Sequence, residues 1–335
     1  MIDIVILFSS GMLPIFTLVC YFLGSLCLIL VYFNIATRFK IFDLPNVRSS
    51  HKEVTIRGAG FIFPFIFILS SSFYSQGSTS SLIFIGGLLM VSMVSFVDDL
   101  LVLSPFQRLL FQMLSVAFLL LSFDGVTVSA FLVGAILILG GLNAYNFMDG
   151  INGITVLYSA ITVGSLIWLR KNLGITNLWY DESLLLLFPT FCVFGFYNFR
   201  QKAKCFSGDV GAIGMAFIIC YGIFEVIIST SNLVYILLLG IYGLDVVATI
   251  VLRIFRKENI TQPHRSHLYQ FLANEQGFSH LFIAFLYAFL QIILSAVVIT
   301  LDMEVALLVY SFVVVCYVFY CIKYQGLKKL FVRYE

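Results

Sequence analysis

Apolar runs alternate with short polar gaps along almost the whole chain. They lie near 13–36, 59–75, 81–97, 108–123, 130–147, 154–170, 185–199, 211–230, 234–251, 281–299 and 304–322. A membrane-crossing helix needs about 20 apolar residues, each rising ~1.5 Å, to span roughly 30 Å of hydrocarbon. The pattern therefore predicts an all-α polytopic membrane protein of about 11 transmembrane helices, forming one integral membrane domain over residues 1–335. The glycine pairs Gly86-Gly87 and Gly140-Gly141 are expected to kink their helices or let neighbours pack closely. The two long polar segments are 37–58 and 252–280, and no soluble domain, low-complexity tract or internal repeat interrupts the pattern. The first apolar run has neither a basic leader nor a small-residue cleavage site, so it reads as a retained span.

Composition agrees with this reading. Hydrophobic residues are 61% of the 335 positions and charged residues 11%, too little charge for a soluble surface. The basic residues then orient the chain. If the loop after the first span is cytoplasmic, every one of the 19 lysines and arginines falls on that side except Arg170 and Lys171. The positive-inside rule thus predicts an outside N-terminus and a cytoplasmic C-terminus. The formal charge of +2 hides this asymmetry, which suits anionic lipids or phosphorylated substrates and gives no reason to expect nucleic acid. The seven cysteines show neither metal-ligand spacing nor a disulfide pattern.

With this topology, four polar clusters share the cytoplasmic face. Asp98 and Asp99 close the third span, and adjacent carboxylates at a membrane boundary repel unless a cation relieves them. Hard oxygen ligands favour Mg²⁺, with Mn²⁺ able to substitute; a solvated helix end is the plainer account. Asn143, Asn146 and Asp149 recur at threes on one helix face, and Gly150 and Gly153 let the backbone turn after them. Asp209, in Gly208-Asp209-Val210-Gly211, is either a helix N-cap or a partner of the aspartate pair at a metal. His264-Arg265-Ser266-His267 lacks the ligands for zinc and suits a pyrophosphate. Candidate substrate contacts are Asn143, Asn146, Asp149, Asn152, Lys204, and Arg48 and His51 of the first loop, although the plainer readings are headgroup anchoring for the first-loop charges and a topology charge for Lys204. Asp245 lies within the ninth span near its inner end and is a further candidate; Glu225, deeper in the eighth, has no assigned role.

In this order the motifs, from Asp43 to about residue 270, resemble those of the polyprenyl-phosphate N-acetylhexosamine-1-phosphate transferases. The stretches DLPNVRSSH and PHRSHLYQ are most similar to the branch that initiates bacterial O-antigen and related surface polysaccharides. The resemblance implies transfer of a sugar 1-phosphate from a UDP-sugar to undecaprenyl phosphate, with release of UMP and a need for Mg²⁺. It assigns catalysis to Asp98, Asp99, His264, Arg265 and His267, and metal binding to Asp209 with Asp99. It also implies donors such as a UDP-N-acetylhexosamine or its 6-deoxy derivative, and a homodimer formed through the spans. Three positions depart from the family pattern: Asn152 stands for a second Asp, Ala212 for a Ser and Ile56 for a Pro.

The expected site is thus built on the cytoplasmic face from loops near 37–60, 98–108, 143–153, 200–211 and 252–280. A rival reading is a transporter or flippase of lipid-linked sugars, whose binding groups would lie near the bilayer midplane. A scaffold without chemistry leaves the ordered Asp, Asn and His motifs unexplained.

Overall fold

The computed structural model of the chain describes residues 12–45, 50, 53–101, 103–259, 262 and 264–325. Arg48 and His51 lie outside the described residues. Twelve α-helices follow one another within the described chain: α1 (Met12–Phe39), α2 (Ile62–Tyr74), α3 (Thr79–Leu101), α4 (Pro105–Leu121), α5 (Val128–Met148) and α6 (Ile154–Asn172), then α7 (Leu178–Asn198), α8 (Gly208–Thr230), α9 (Gly240–Phe255), α10 (Leu268–Asn274), α11 (His280–Thr300) and α12 (Met303–Gln325). The only sheet among them is a two-residue antiparallel ladder, β1 (Phe42–Asp43) with β2 (Thr55–Ile56).

Each expected apolar run falls on a helix, and seven helices of the described chain are long and apolar enough to cross a membrane. The protein is an integral membrane protein. The other four runs are less clear-cut: α2 and α4 have 13 and 17 residues, while α6 and α7 carry Arg170, Lys171, Asp181 and Glu182 near one end. Two details differ from the sequence reading. The ninth run is broken, with a 3-10 turn over Leu233–Leu239 before α9, and the 252–280 segment contains the short helix α10. Gln291 of α11 meets the break by accepting from the Ile241 backbone N–H at 3.1 Å and donating to Leu237 O at 3.1 Å. An unmet backbone group within the hydrocarbon would cost several kcal/mol.

The bundle is organised around α8, 89% of whose apolar window is buried, against 17% for α1 and 11% for α12. Lipid tails are as apolar as leucine, so helices here associate through close packing rather than through escape from water. The glycines of α8 provide it. A Cβ on Gly211 would lie 2.7 Å from Gly60 Cα, one on Gly214 3.1 Å from Pro64, and one on Gly222 2.4 Å from the Tyr180 hydroxyl.

Far along α8 from Asp209, buried Arg170 joins three helices. Its Nε donates to Asp181 at 2.6 Å and its Nη1 to Glu225, and its guanidinium lies 5.0 Å from the Tyr180 ring centre. Glu225 thus has a structural role as a counter-charge. Removing one partner of a buried ion pair strands the other and costs about 3–5 kcal/mol. Arg170→Gln is therefore expected to lower the melting temperature of the detergent-solubilised protein clearly, as read by tryptophan fluorescence. A parent-like melting curve would refute a structural role for this cluster.

Candidate active site

The site begins where two glycine-bearing segments meet backbone to backbone. Ala59 N–H donates to Phe206 O and Gly60 N–H to Ser207 O, both at 3.0 Å, and Phe206 N–H donates back to Ile56 O at 2.8 Å. No side chain fits between them: a Cβ on Gly60 would lie 2.6 Å from Gly211 Cα. Gly58 and Gly208 both have positive φ, 78° and 69°, a region that favours glycine. This junction places Arg57 beside the start of α8.

Asp99 closes the junction from α3. Its Oδ1 accepts from Asp209 N–H at 3.0 Å and from Arg57 Nε at 2.7 Å, and its Oδ2 accepts from Val210 N–H at 3.2 Å. It therefore satisfies the free N–H groups of the first turn of α8, a capping duty that normally falls to a residue of the same helix. The Asp99 side chain is fully buried. Asp98 points elsewhere: its Oδ1 accepts from Leu103 N–H at 2.5 Å, and its Oδ2 lies 3.3 Å from Arg108 Nη1. Asp209 is held more loosely, 3.5 Å from Arg57 Nη2 and 3.9 Å from Arg108 Nη1, with its carboxyl within hydrogen-bond reach of Asp98. Burial opposes the charge on Arg57, but Asp99 and Asp209 outweigh it and raise its pKa.

Asp149, just past α5, is tied to both of its neighbours. It accepts from the Thr155 and Ser207 hydroxyls, so the asparagine-rich turn is fastened to the segment that carries Asp209. Burial pushes its carboxyl up to about 7, against the pull of those two hydroxyls. Asn146, Asp149, Asn152, Arg57, Asp209, Gln270 and His280 share a cleft of about 200 Å³. A neighbouring cleft of about 350 Å³ shares Ser50, Asn152, Phe206 and His280 with it and adds Glu53, Gln201 and Lys202. Asn152 donates to the Arg200 and Gln201 carbonyls at 2.8 and 3.1 Å, while its buried Oδ1 has no partner.

The expected site residues divide accordingly. Asp98, Asp99, Asn146, Asp149, Asn152 and Asp209 come together. Asn143 does not line either cleft: its amide donates to Gln112 at 3.0 Å and Leu139 O at 2.8 Å, fastening α5 to α4. Lys204 is exposed and lines neither cleft, whereas Lys202 lines the larger one. His264 and His267 stand with ring centres 5.0 Å apart and 6.4 and 6.2 Å from Phe147, beside the smaller cleft rather than on its lining. Burial, together with the charges of His267 and Arg253, pushes the pKa of His264 down to about 3, so its ring is neutral near pH 7. Arg265 is exposed.

Arg57, Arg108, Ser207, Gln270 and His280 were not among the expected site residues. A signal existed for Arg108: Ser104-Pro105-Phe106-Gln107 is a capping box that starts α4 and sets Arg108 one turn in. Among the described residues no group of three or more His, Cys, Asp or Glu gathers as a ready metal cage. The donor set still suits a hard divalent cation. Asp98 and Asp209 bring carboxylate oxygens together beside two arginines, and Mg²⁺ commonly takes just one or two carboxylates. Asp99, fully buried and holding two backbone N–H groups and Arg57, suits that duty less than Asp98, whose Oδ2 meets the partly exposed Arg108.

A membrane-embedded bundle with carboxylates, arginines and amides gathered at one end of its central helix defines an enzyme that handles anionic groups at a membrane boundary. Residues 81–229 match the profile of Glycosyl transferase family 4, a stretch that contains Asp98, Asp99, Asn143–Gly153 and Asp209. The chain is also 26% identical over 329 residues to the probable undecaprenyl-phosphate N-acetylglucosaminyl 1-phosphate transferase of Bacillus subtilis (strain 168), covering 88% of this chain and 90% of that protein. The matched profile and this similarity support the polyprenyl-phosphate sugar-phosphate transferase family and indicate a phosphosugar transferase, which favours that reading over a transporter.

Two predictions test the geometry. A Cβ on Gly208 would lie 2.4 Å from Asp99 Oδ2 and need positive φ, whereas Gly243 faces open space. Gly208→Ala should therefore lower both the melting temperature and turnover, and Gly243→Ala should leave turnover near normal. Asp149 provides the second. Its folded pKa lies above the unfolded value, so the native state holds an extra proton at mildly acid pH and loses stability as pH rises through about 7. In chelator, the melting temperature of Asp149→Asn should fall less between pH 5 and 8 than that of the parent. An unchanged slope would refute the burial argument.

Proposed function

We propose that the protein transfers an N-acetylhexosamine 1-phosphate from a UDP-sugar to undecaprenyl phosphate at the cytoplasmic face of a bacterial inner membrane. The product, a lipid-diphospho-sugar, would begin a surface polysaccharide such as O-antigen. The observation that carries this reading is the convergence of Asp98, Asp209, Arg57 and Arg108 beside a cleft at the start of the central helix α8. An outside N-terminus, a span count of 11 and a homodimer belong to the same proposal.

In the reaction, an oxygen of the lipid phosphate forms a bond to the β-phosphorus of the donor. The bond from that phosphorus to the bridging oxygen breaks, and UMP leaves with the electron pair. Such transfers depend on positioning and charge neutralisation far more than on covalent help from the protein. Asp209 with Asp98 would hold Mg²⁺, which neutralises the diphosphate when bound. Arg57 and Arg108, whose side chains are 30% and 40% exposed, can turn from the carboxylates toward phosphate oxygens. Asn146, Asn152 and His280 line the rest of the cleft and orient the donor, and exposed Arg265 adds positive charge nearby. The incoming phosphate is already largely ionised near pH 7 and needs no strong base, so Asp98 would help to hold the Mg²⁺ rather than take a proton.

The test combines purified protein in detergent, undecaprenyl phosphate, Mg²⁺ and a panel of UDP-sugars, beginning with UDP-GlcNAc because of the relative's name. UMP release coupled to a lipid-linked sugar is the expected result, abolished by chelator and restored by Mg²⁺ or Mn²⁺. Asp209→Asn is expected to lower kcat by at least about 100-fold in folded protein. Near-normal turnover in that variant would refute the site assignment, and UMP release without lipid product would refute the acceptor.

A further inference from the structure

Asp245, fully buried within α9, is the most heavily engaged carboxylate outside the aspartate cluster. Its Oδ1 accepts from Leu268 N–H at 3.0 Å and contacts His267 Nδ1 at 3.2 Å, Thr249 Oγ1 at 3.3 Å and the Tyr317 hydroxyl at 3.3 Å. Its Oδ2 accepts from Tyr269 N–H at 3.2 Å and the Tyr287 hydroxyl at 2.6 Å. Donors from α10, α11 and α12 and from the histidine loop thus meet on one side chain. A carboxylate buried this deeply persists only when its oxygens are fully met.

Two lines lead from this hub to the chemistry. The first runs through Tyr269. Its N–H is held by Asp245, and its hydroxyl donates to Phe147 O at 2.9 Å, against Gly150, where a Cβ would lie 2.2 Å away. This fastens the turn that carries Asp149, and the next residue, Gln270, lines the cleft with Asp209. The second line runs through His267. A carboxylate accepts only from a protonated ring nitrogen, so the contact with Asp245 assigns a hydrogen to Nδ1 and leaves Nε2 free of that contact. That Nε2 is buried and has no partner within the chain. A polar atom left unmet in a folded protein is one whose partner comes from elsewhere.

We propose that Asp245 is a positioning residue for the transfer reaction. It holds the ring of His267 by Nδ1–H and offsets the charge of the doubly protonated ring, in which Nε2–H donates to a phosphoryl oxygen of the donor. The proposal rests on the transferase reading above. Loss of a carboxylate that orients a functional histidine commonly costs 10–100-fold.

The experiment measures kcat, KM and melting temperature for Asp245→Asn, His267→Ala, the double variant and His267→Asn, with the parent in the same UMP-release assay. Asp245→Asn should lose at least about tenfold in kcat while KM for the UDP-sugar stays within about threefold. In the His267→Ala background the same change should cost less than about threefold more, because both residues act through one ring. Losses that multiply in the double variant would overturn the proposal. His267→Asn keeps a donor where Nδ1 stood but has nothing at Nε2, so it should melt like the parent and turn over poorly. That comparison stands even if Asp245→Asn does not fold, and parent-like turnover in His267→Asn would overturn the proposal. A parent that releases no UMP with any donor refutes the transferase reading, whereas an active parent with uncoupled variants refutes only the role of Asp245.

Discussion

The site depends on one contact, the reach of Asp99 from the end of α3 to the first turn of α8. Two backbone N–H groups of α8 and the guanidinium of Arg57 end on its two oxygens. Without that carboxylate the N-terminus of the most buried helix would face a low-dielectric boundary with its donors unmet, and Arg57 would lose its nearest counter-charge. The interaction is possible only because Gly58, Gly60, Gly208 and Gly211 allow two backbones to approach within side-chain distance. Asp209, one residue into the helix, is thereby placed with its carboxyl on the open side, between Asp98 and the two arginines.

The same device recurs in the C-terminal half. Asp245 receives two successive N–H groups at the start of α10, as Asp99 does at the start of α8, and each carboxylate also holds a basic side chain, His267 in one case and Arg57 in the other. A membrane enzyme that works on polyanions must keep many cationic and polar groups at an apolar boundary. Anchoring them on buried carboxylates holds them in place when the cleft is empty. The loosely held members, Asp209 and Arg108, are those with freedom to exchange partners when a substrate arrives.

Much of this could be read from the residues in order. The apolar runs marked every long helix, because a run of that length has few other stable fates in a membrane. The Asp98-Asp99, Asn146-Asp149 and Asp209 clusters were legible because polar groups at span ends are expensive to place without purpose. What could not be read was which groups do which work. Asn143 fits the same threefold spacing as Asn146, yet it ties α5 to α4, since spacing identifies a shared helix face but not what that face meets. Lys202 rather than Lys204 faces a cleft, a matter of how the short 199–207 loop turns.

By itself, then, the order of residues determined an integral membrane bundle, its apolar helices and the polar clusters at their ends, because hydropathy and helical periodicity act locally. Only the tertiary structure separated Asp98 from Asp99, recruited Arg57 and Arg108, and made Asp245 the support of His267. Arg108 lies only 10 positions from Asp98, but the other contacts span 42 to 152 positions in the first cluster and 22 to 72 between Asp245 and the elements gathered on it. Such contacts are set by glycine-mediated backbone approach and by the need of every buried donor for an acceptor, and neither is written in any single segment.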